Sequence, residues 1–348
     1  MRKYSIDEVD VALLDALHMN PRASFERLGT VLGITPVTAA RHWRRLAASG
    51  RAWVSSVPGP RLAMTAAVCE IEACPGRAES VGRALAALPQ VASVYLTDGE
   101  FGVHAMVFAG DMTSLSMLLL DEIPRVPGVI RGRSHIGVDW FSGVHWRLGA
   151  ISSDQQRSVT GAEAGEDRNR GSRTRVFDAP EHALYLALQH DGRASFRDLA
   201  RALDTPEHQL RRRMASLVRR SMLSFRTDFA RGEGGWPAEL VLWLAVPCDQ
   251  LEQVGLELGG WPETRVCMST VGAANVLLMA QVHQLPDLGR ILERLRTAFH
   301  AVRVCDQRVV LRPLKSWGRL LDPAGHATGV VPVDPWAPSA AAFSQRNR

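Results

Sequence analysis

Apolar and polar positions along this chain follow two alternating rhythms. Residues 1–60 and 177–231 carry apolar side chains at helical spacing, while 61–150 and 236–316 show short β-branched runs between amphipathic stretches. In 61–150 the pattern predicts a strand near Ala66–Ile71, a helix near Ala78–Ala87, and strands near Ala92–Leu96 and Val103–Phe108. A helix near Thr113–Glu122 and a strand near Gly128–Val138 follow. The later region repeats the order with Leu240–Val246, Leu251–Leu258, Arg265–Ser269, Val276–Val282, Leu288–Thr297 and Ala301–Leu311. That order, βαββαβ, is the ferredoxin-like plait, a sheet with helices on one face.

The two helical regions are copies. Arg22-Ala23-Ser24-Phe25 recurs as Arg193-Ala194-Ser195-Phe196, and the same offset holds on either side without a gap. Around it Asp7, Leu13, Leu17, Leu28, Leu32, Arg41 and Leu46 match Asp178, Leu184, Leu188, Leu199, Leu203, Arg212 and Leu217. A period this long means duplicated domains rather than a solenoid. Residues 152–175 have almost no large apolar side chains and are expected to be a flexible linker, because they bury too little to offset ordering entropy. After Trp317 the chain turns rich in Pro, Ala and Gly and reads as a poorly ordered tail, with a docking turn at Gly318–Leu321.

Each helical region divides into helix, tight turn and helix. Ser24 caps a short helix through Leu32, and Gly33 supplies the left-handed stop. Thr35-Pro36 then opens a second helix, with Thr as cap and Pro at the first position. On that helix Ala39, Trp43 and Leu46 form an inward apolar stripe, while Thr38, Arg41, His42 and Arg45 share another face with Arg44 beside them. In the copy Thr205-Pro206 begins the helix, Leu210, Met214 and Leu217 face inward, and Gln209, Arg211, Arg212 and Arg213 are polar. A basic amphipathic helix of this length fits the DNA major groove, where Arg contacts guanine, Gln contacts adenine and other cations hold phosphates. Two such helices in register point to double-stranded DNA as partner.

The expected fold is therefore α+β, a tandem duplication of two winged-helix-type helix-turn-helix units and two ferredoxin-like plaits. Its boundaries are read as 1–60 and 61–150 for the first head and plait, 151–176 for the linker, 177–232 and 233–316 for the second pair, and 317–348 for the tail.

Composition adds little except exclusions. Among 348 residues, 46% are apolar and 22% charged, the range of ordinary globular proteins, so no compositional class overrides the pattern. No run approaches the roughly 18 to 20 apolar residues of a membrane helix, and the N-terminus has no signal-peptide core, so the cytoplasm is expected. The five cysteines (Cys69, Cys74, Cys248, Cys267, Cys305) are odd in number and form no C-x-x-C pair, so they read as free thiols, with no metal or cofactor implied. The net charge of +5 matters only through where the arginines gather.

At the segments Ile6–Leu14, Arg22–Leu28 and Gly33–Leu46, with the following Gly50, the chain resembles the leucine-responsive regulatory (Lrp/AsnC) family. That family has a Ser/Thr-Pro start to its reading helix and an Arg-Arg-Val-Arg-Arg-Leu-like end, where this chain has His42 and Trp43 in place of the usual Arg and Val. The resemblance covers roughly 4–140 and 177–312. It implies a transcriptional regulator whose plaits are effector and assembly (RAM) domains, and homo-oligomers formed through them. It also implies an amino-acid or metabolite effector at a glycine-containing turn between the second and third strands of each plait. The matching turns here are 97–102 and 269–275, which makes Thr97, Asp98, Gly99, Glu100, Gly272 and Asn275 the candidate effector residues. The aspartate that commonly follows the turn is replaced by Gly102 and Asn275.

The same two-part architecture also resembles siroheme decarboxylases, which carry a His-Asn-Tyr-like motif in the plait. The matching regions, Ala92–Leu96 and Thr264–Met268, contain no histidine. Elsewhere there is no H-E-x-x-H, no G-x-S-x-G and no phosphate or dinucleotide glycine loop, and His104, His135, His145 and His283 are isolated. The sequence reads as a non-enzyme, with the decarboxylase and an assembly protein that no longer binds DNA as alternatives.

Overall fold

The computed structural model describes residues 6–142, 146–160 and 175–338. His145, the remainder of the predicted linker at 161–174 and the last ten residues lie outside the described residues. The chain divides into two compact units. One comprises Met1–Ala63, Val144–Ala230 and His326–Val333, and the other Met64–Gly143, Arg231–Gly325 and Asp334–Arg348. The two helix-turn-helix copies thus share one unit and the two plaits share the other.

In the first unit one copy is α1 (Glu8–Met19), α2 (Phe25–Leu32) and α3 (Pro36–Ala48), followed by β1 (Ala52–Pro58). Its starts are set by side chains: Asp7 and Asp10 form a capping box on α1, Ser24 accepts from Arg27 N, and Thr35 accepts from Thr38 N. Gly33 ends α2 with φ 67°. Leu13, Leu17, Leu28, Ala39, Trp43 and Leu46 are buried between the three helices.

No hairpin wing follows α3. Instead β1 pairs antiparallel with its own counterpart in the second copy, β6 (Leu223–Phe229), with Ser55 opposite Arg226 at the middle of the ladder. Ser56 Oγ donates to Tyr185 O at 2.7 Å and Thr227 Oγ1 donates to Leu17 O at 2.7 Å, so each strand is held by the first helix of the other copy.

Two sequence expectations change here. Within the predicted linker, α6 (Ser153–Thr160) is helical, with Val159 fully buried and Gln155 Nε2 donating to Val31 O at 2.7 Å. The approach to it is fixed by Asp15, whose buried carboxylate accepts from Leu148 N (2.9 Å), Ala150 N (2.7 Å) and Ile151 N (3.0 Å). Asp15→Ala leaves three N–H groups without their acceptor and is expected to cost about 2 kcal/mol. Faster amide exchange at 148–151 than in the wild type would check it; unchanged exchange would show that Asp15 holds nothing.

The predicted tail is also ordered as far as residue 338. Within the first unit, Val333 is buried, its N–H donating to Gln189 Oε1 at 2.7 Å and its carbonyl accepting from Tyr185 Oη at 2.8 Å. In the second unit Gly110 N donates to Pro335 O at 2.7 Å.

The second copy in the first unit is α7 (Ala179–His190), α8 (Phe196–Leu203) and α9 (Glu207–Arg219). Asp178 and Glu181 repeat the capping box, and Asp204 stands where Gly33 stands, in the left-handed region at φ 45°. The expected Thr205 cap does not form. Thr205 Oγ1 donates to Leu203 O, and α9 starts one residue later with Pro206 at its N-cap.

The plait unit contains β2 (Thr65–Ala73), α4 (Ala78–Ala86), β3 (Val91–Thr97), β4 (Val103–Ala109), α5 (Met112–Met117) and β5 (Val129–Trp140). The helix predicted at 113–122 breaks after α5 into a π-turn at Leu118–Glu122 and a 3-10 turn at Ile123–Arg125. The second plait is β7 (Ala238–Ala245), α10 (Leu251–Gly259), β8 (Thr264–Thr270), β9 (Val276–Val282), α11 (Asp287–Ala298) and β10 (Arg303–Ser316), with β11 (Arg319–Leu321) added to β10. Strand order runs β10-β3-β4-β2-β5-β8-β9-β7, and β7 pairs with β10 again, so eight strands close into a ring. The long strands β5 and β10 make the closure, each pairing first within its own plait and then with the other. Alternate residues of each strand point to the helices, as Ala67, Cys69 and Ile71 do on β2. The others point away from them, and there the strands carry charge: Glu70 and His104 are buried and directly opposed in register.

Candidate nucleic-acid interface

The last helices of the two three-helix copies, α3 and α9, present their cations unequally. On α3, Arg41 and Arg44 are exposed and have no partner among the described residues. Thr38 is half-buried beside the cap, its hydroxyl 2.9 Å from Thr35 Oγ1. His42 and Arg45, expected to face outward, are turned onto α1. His42 Nδ1 lies 2.7 Å from Asp10 Oδ1, and Arg45 pairs with Asp10 and, at 3.5 Å, with Asp7. Asp10 is fully buried, so its charge requires partners. Asp7, Asp10 and His42 cluster closely enough to resemble a metal site. The Arg45 guanidinium already supplies the positive charge there.

On α9, Gln209 and Arg212 are exposed and Arg213 is half-buried, again without partners among the described residues. Arg211 lies over the Phe196 ring at 4.3 Å, a cation–π contact within its own head. The acid that holds this helix is Glu181, the counterpart of Asp10, which pairs with Arg220. In both copies, then, the acid three residues into the first helix anchors the last helix. Spacing along the helix puts His42 and Arg45 on the Arg41 face; only the fold reveals that Asp10 claims them.

The repeated Arg-Ala-Ser-Phe motif joins the heads. Arg22 donates to the carbonyls of Gly192 and, at 3.1 Å, Ala194. Arg193 donates to those of Pro21 (2.6 Å) and Ala23 (2.8 Å). Arg22 also lies over Phe196 at 5.6 Å, and Arg193 over Phe25 at 4.9 Å. Each guanidinium sits in the loop of the other copy. Burial lowers the pKa of Arg22 and pulls that of Arg193 down to about 10, and both remain cations at neutral pH. The sequence by itself marks these residues as evidence of duplication and hides their role; an arginine retained at the same place in both copies is the one signal it offers.

In the plaits, the two glycine turns carry none of their candidate side chains free. Thr97 Oγ1 donates to Phe101 O at 3.0 Å, Asp98 Oδ1 accepts from Val309 N at 2.8 Å, and Glu100 pairs with Arg131. Gly99 takes φ 82° with the Arg308 guanidinium packed against it, so a side chain there would have to push that guanidinium aside. In the second turn Gly272 takes φ 137°, and Asn275 clamps Val246 through both its amide oxygen and nitrogen at 2.8 Å. The thiols of Cys69 and Cys267 are buried, which pushes both up to about 12 and leaves them unreactive.

Residues 6–47 match the AsnC-type helix-turn-helix domain, and residues 66–139 match the Lrp/AsnC ligand binding domain. Both matches fall in the first half of the chain, on the first helix-turn-helix and the first plait. HTH-type transcriptional regulators of Pyrococcus abyssi and Pyrococcus horikoshii are each 27% identical to it over 150 residues. The match covers 42% of this chain and 93% of theirs, so this chain is roughly double their length. The siroheme decarboxylase NirDL superposes with a TM-score of 0.56 over 89% of this chain and 93% of its own, at 14% identity. That likeness is one of fold. No helix among the described residues is long and apolar enough to cross a membrane.

Proposed function

We propose that this chain is a tandem regulator of the Lrp/AsnC type, a sequence-specific transcriptional regulator that reads two unlike half-sites with α3 and α9 of one molecule. The observation that carries this is the reciprocal arginine exchange: two basic helices, each with unpaired cations, are fixed to one another inside one unit. Two heads on one chain bind with a high effective concentration at the second half-site. Arg41 and Arg44 from α3, and Gln209, Arg212 and Arg213 from α9, are the proposed contacts to bases and phosphates, with Thr38 beside the first set. His42, Arg45 and Arg211 hold their helices in place. Because the two sets differ, the operator is an imperfect palindrome.

With DNA as its partner, the protein works in the cytoplasm. The plait pair is its ligand-binding and assembly part, with the turns at 97–102 and 269–275 as the entry for a small metabolite. Such a ligand displaces the Arg308–Asp98 contacts or the Asn275 clamp. The reading is of a binding protein rather than an enzyme, since neither Ala92–Leu96 nor Thr264–Met268 supplies a histidine.

Selection of genomic fragments at low and physiological salt tests this directly. A few discrete sites that persist at the higher salt are expected, whereas diffuse binding abolished by salt would overturn it. On a selected site, Arg41→Ala and Arg212→Ala are each expected to weaken binding by about tenfold. Equal affinity of both variants and the wild type would remove α3 and α9 from the interface.

A further inference from the structure

The two plaits superimpose in register, with β2 starting at Thr65 and β7 at Ala238. Ala67 pairs with Ile136 as Leu240 pairs with Val309, so the offset that relates β2 to β7 also relates β5 to β10. By that correspondence Arg133 and Asp306 are counterparts: Arg133 stands opposite Glu70 on β2, and Asp306 opposite Trp243 on β7. These two counterparts touch. Arg133 Nη2 donates to Asp306 Oδ2 at 3.2 Å while its Nε donates to Glu70 Oε2 at 2.7 Å. Residues that correspond under a two-fold relation and also touch lie beside its axis. Here the axis is flanked by opposite charges.

The next position repeats the asymmetry. His135 and Arg308 are counterparts, as are Glu70 and Trp243. His135 stacks on Trp243 at 4.1 Å and reaches Glu70 Oε2 at 3.2 Å. Arg308 turns the other way, bonding Asp306 at 2.9 Å and Asp98 O at 3.1 Å. A true two-fold pair of first plaits sets Arg133 against Arg133 with no tryptophan for His135. A pair of second plaits sets Asp306 against Asp306 with no Glu70.

We propose that Arg133, Asp306 and the His135–Trp243 stack make the plait interface heterotypic, so that the first plait is fitted to the second and rejects a copy of itself. Like charges at the axis oppose like-with-like pairing, which keeps the eight-stranded ring closed within one chain. This stands apart from the DNA-binding reading and holds whether or not the heads bind DNA.

Asp306→Arg reproduces the first-with-first situation inside the full chain, facing Arg133 with a second arginine. At low salt it is expected to lower the melting temperature by roughly 3 °C, with a smaller loss for Asp306→Asn. Much of the Asp306→Arg loss is expected to vanish at about 1 M salt, where the screening length falls to about 3 Å. The decisive comparison is Arg133→Gln. Alone it is expected to lower the melting temperature, since Glu70 loses a donor, yet in the Asp306→Arg background it is expected to raise it. Should Asp306→Arg fail to fold, recovery of folding in the double variant makes the same case. An Asp306→Arg protein that melts with the wild type at low salt overturns the proposal. So does an Arg133→Gln change that worsens both backgrounds alike.

Discussion

Alanine at both Arg22 and Arg193 is expected to lower the melting temperature of the paired heads by roughly 8 °C and to relax the spacing of the half-sites they accept. Each guanidinium donates to two loop carbonyls of the opposite copy. Charge-assisted bonds of this kind are worth about 1.5–3 kcal/mol, and the carbonyls left behind lose their partner. Against that stand the cost of burying two cations and their mutual repulsion, which helps to depress Arg193. The net loss for the pair is about 3 kcal/mol, at about 2–4 °C per kcal/mol for a unit of this size. Each single variant is expected to cost less than half the double, because removing one cation relieves the other. Lysine at either position restores only part, since an ammonium cannot span two carbonyls as a planar fork does. Thermal melting and selection from operators of randomised spacing measure the two effects. A double variant with native melting and native spacing preference would show that the exchange holds nothing.

That exchange marks the border between what sequence order makes visible and what it does not. The repeat, the capped helices and the βαββαβ order all rest on interactions within a few residues or on short local runs: Ser24 with Arg27, Thr35 with Thr38, the apolar run along β9. These are legible because propensity and packing agree locally. The β1–β6 ribbon escapes because both strands are buried on two faces and the partner of each lies in the other copy. Helix α6 escapes because its composition is that of a linker, and its order comes from Asp15, Val31 and Asn20. Spacing puts His42 and Arg45 on the polar face of α3, but a buried Asp10 outcompetes solvent for them. In each case the deciding partner is distant in sequence, and for the ribbon, as for the arginine exchange, it belongs to the other copy.

The buried face of the first plait should make stability depend on pH in two steps. Burial depresses the His104 pKa to about 4, with the Glu70 charge opposing and His135 adding to the fall. The unfolded chain takes up that proton as pH drops through 6.5, the folded chain only near 4, so stability is lost across that window. Burial alone would raise Glu70, but the bonds from His135 and Arg133 outweigh it and hold the carboxyl down to about 2. Its contribution is complete above about 4.5 and is lost as pH falls towards 2. At about 1.4 kcal/mol per unit, the His104 step amounts to about 3 kcal/mol. The second plait suggests the control. Leu277 occupies the place of His104 there, opposite Trp243 instead of Glu70. His104→Leu should therefore fit, and it removes a buried Nε2 that finds no partner among the described residues. Urea midpoints at pH 7.5, 5.5 and 4.0 are expected to fall steadily for the wild type and to stay nearly level down to about 4.5 for the variant. If the variant loses stability as steeply as the wild type between pH 6.5 and 4.5, the titrating group is another one, and His104 is not the reason the paired plaits open in acid.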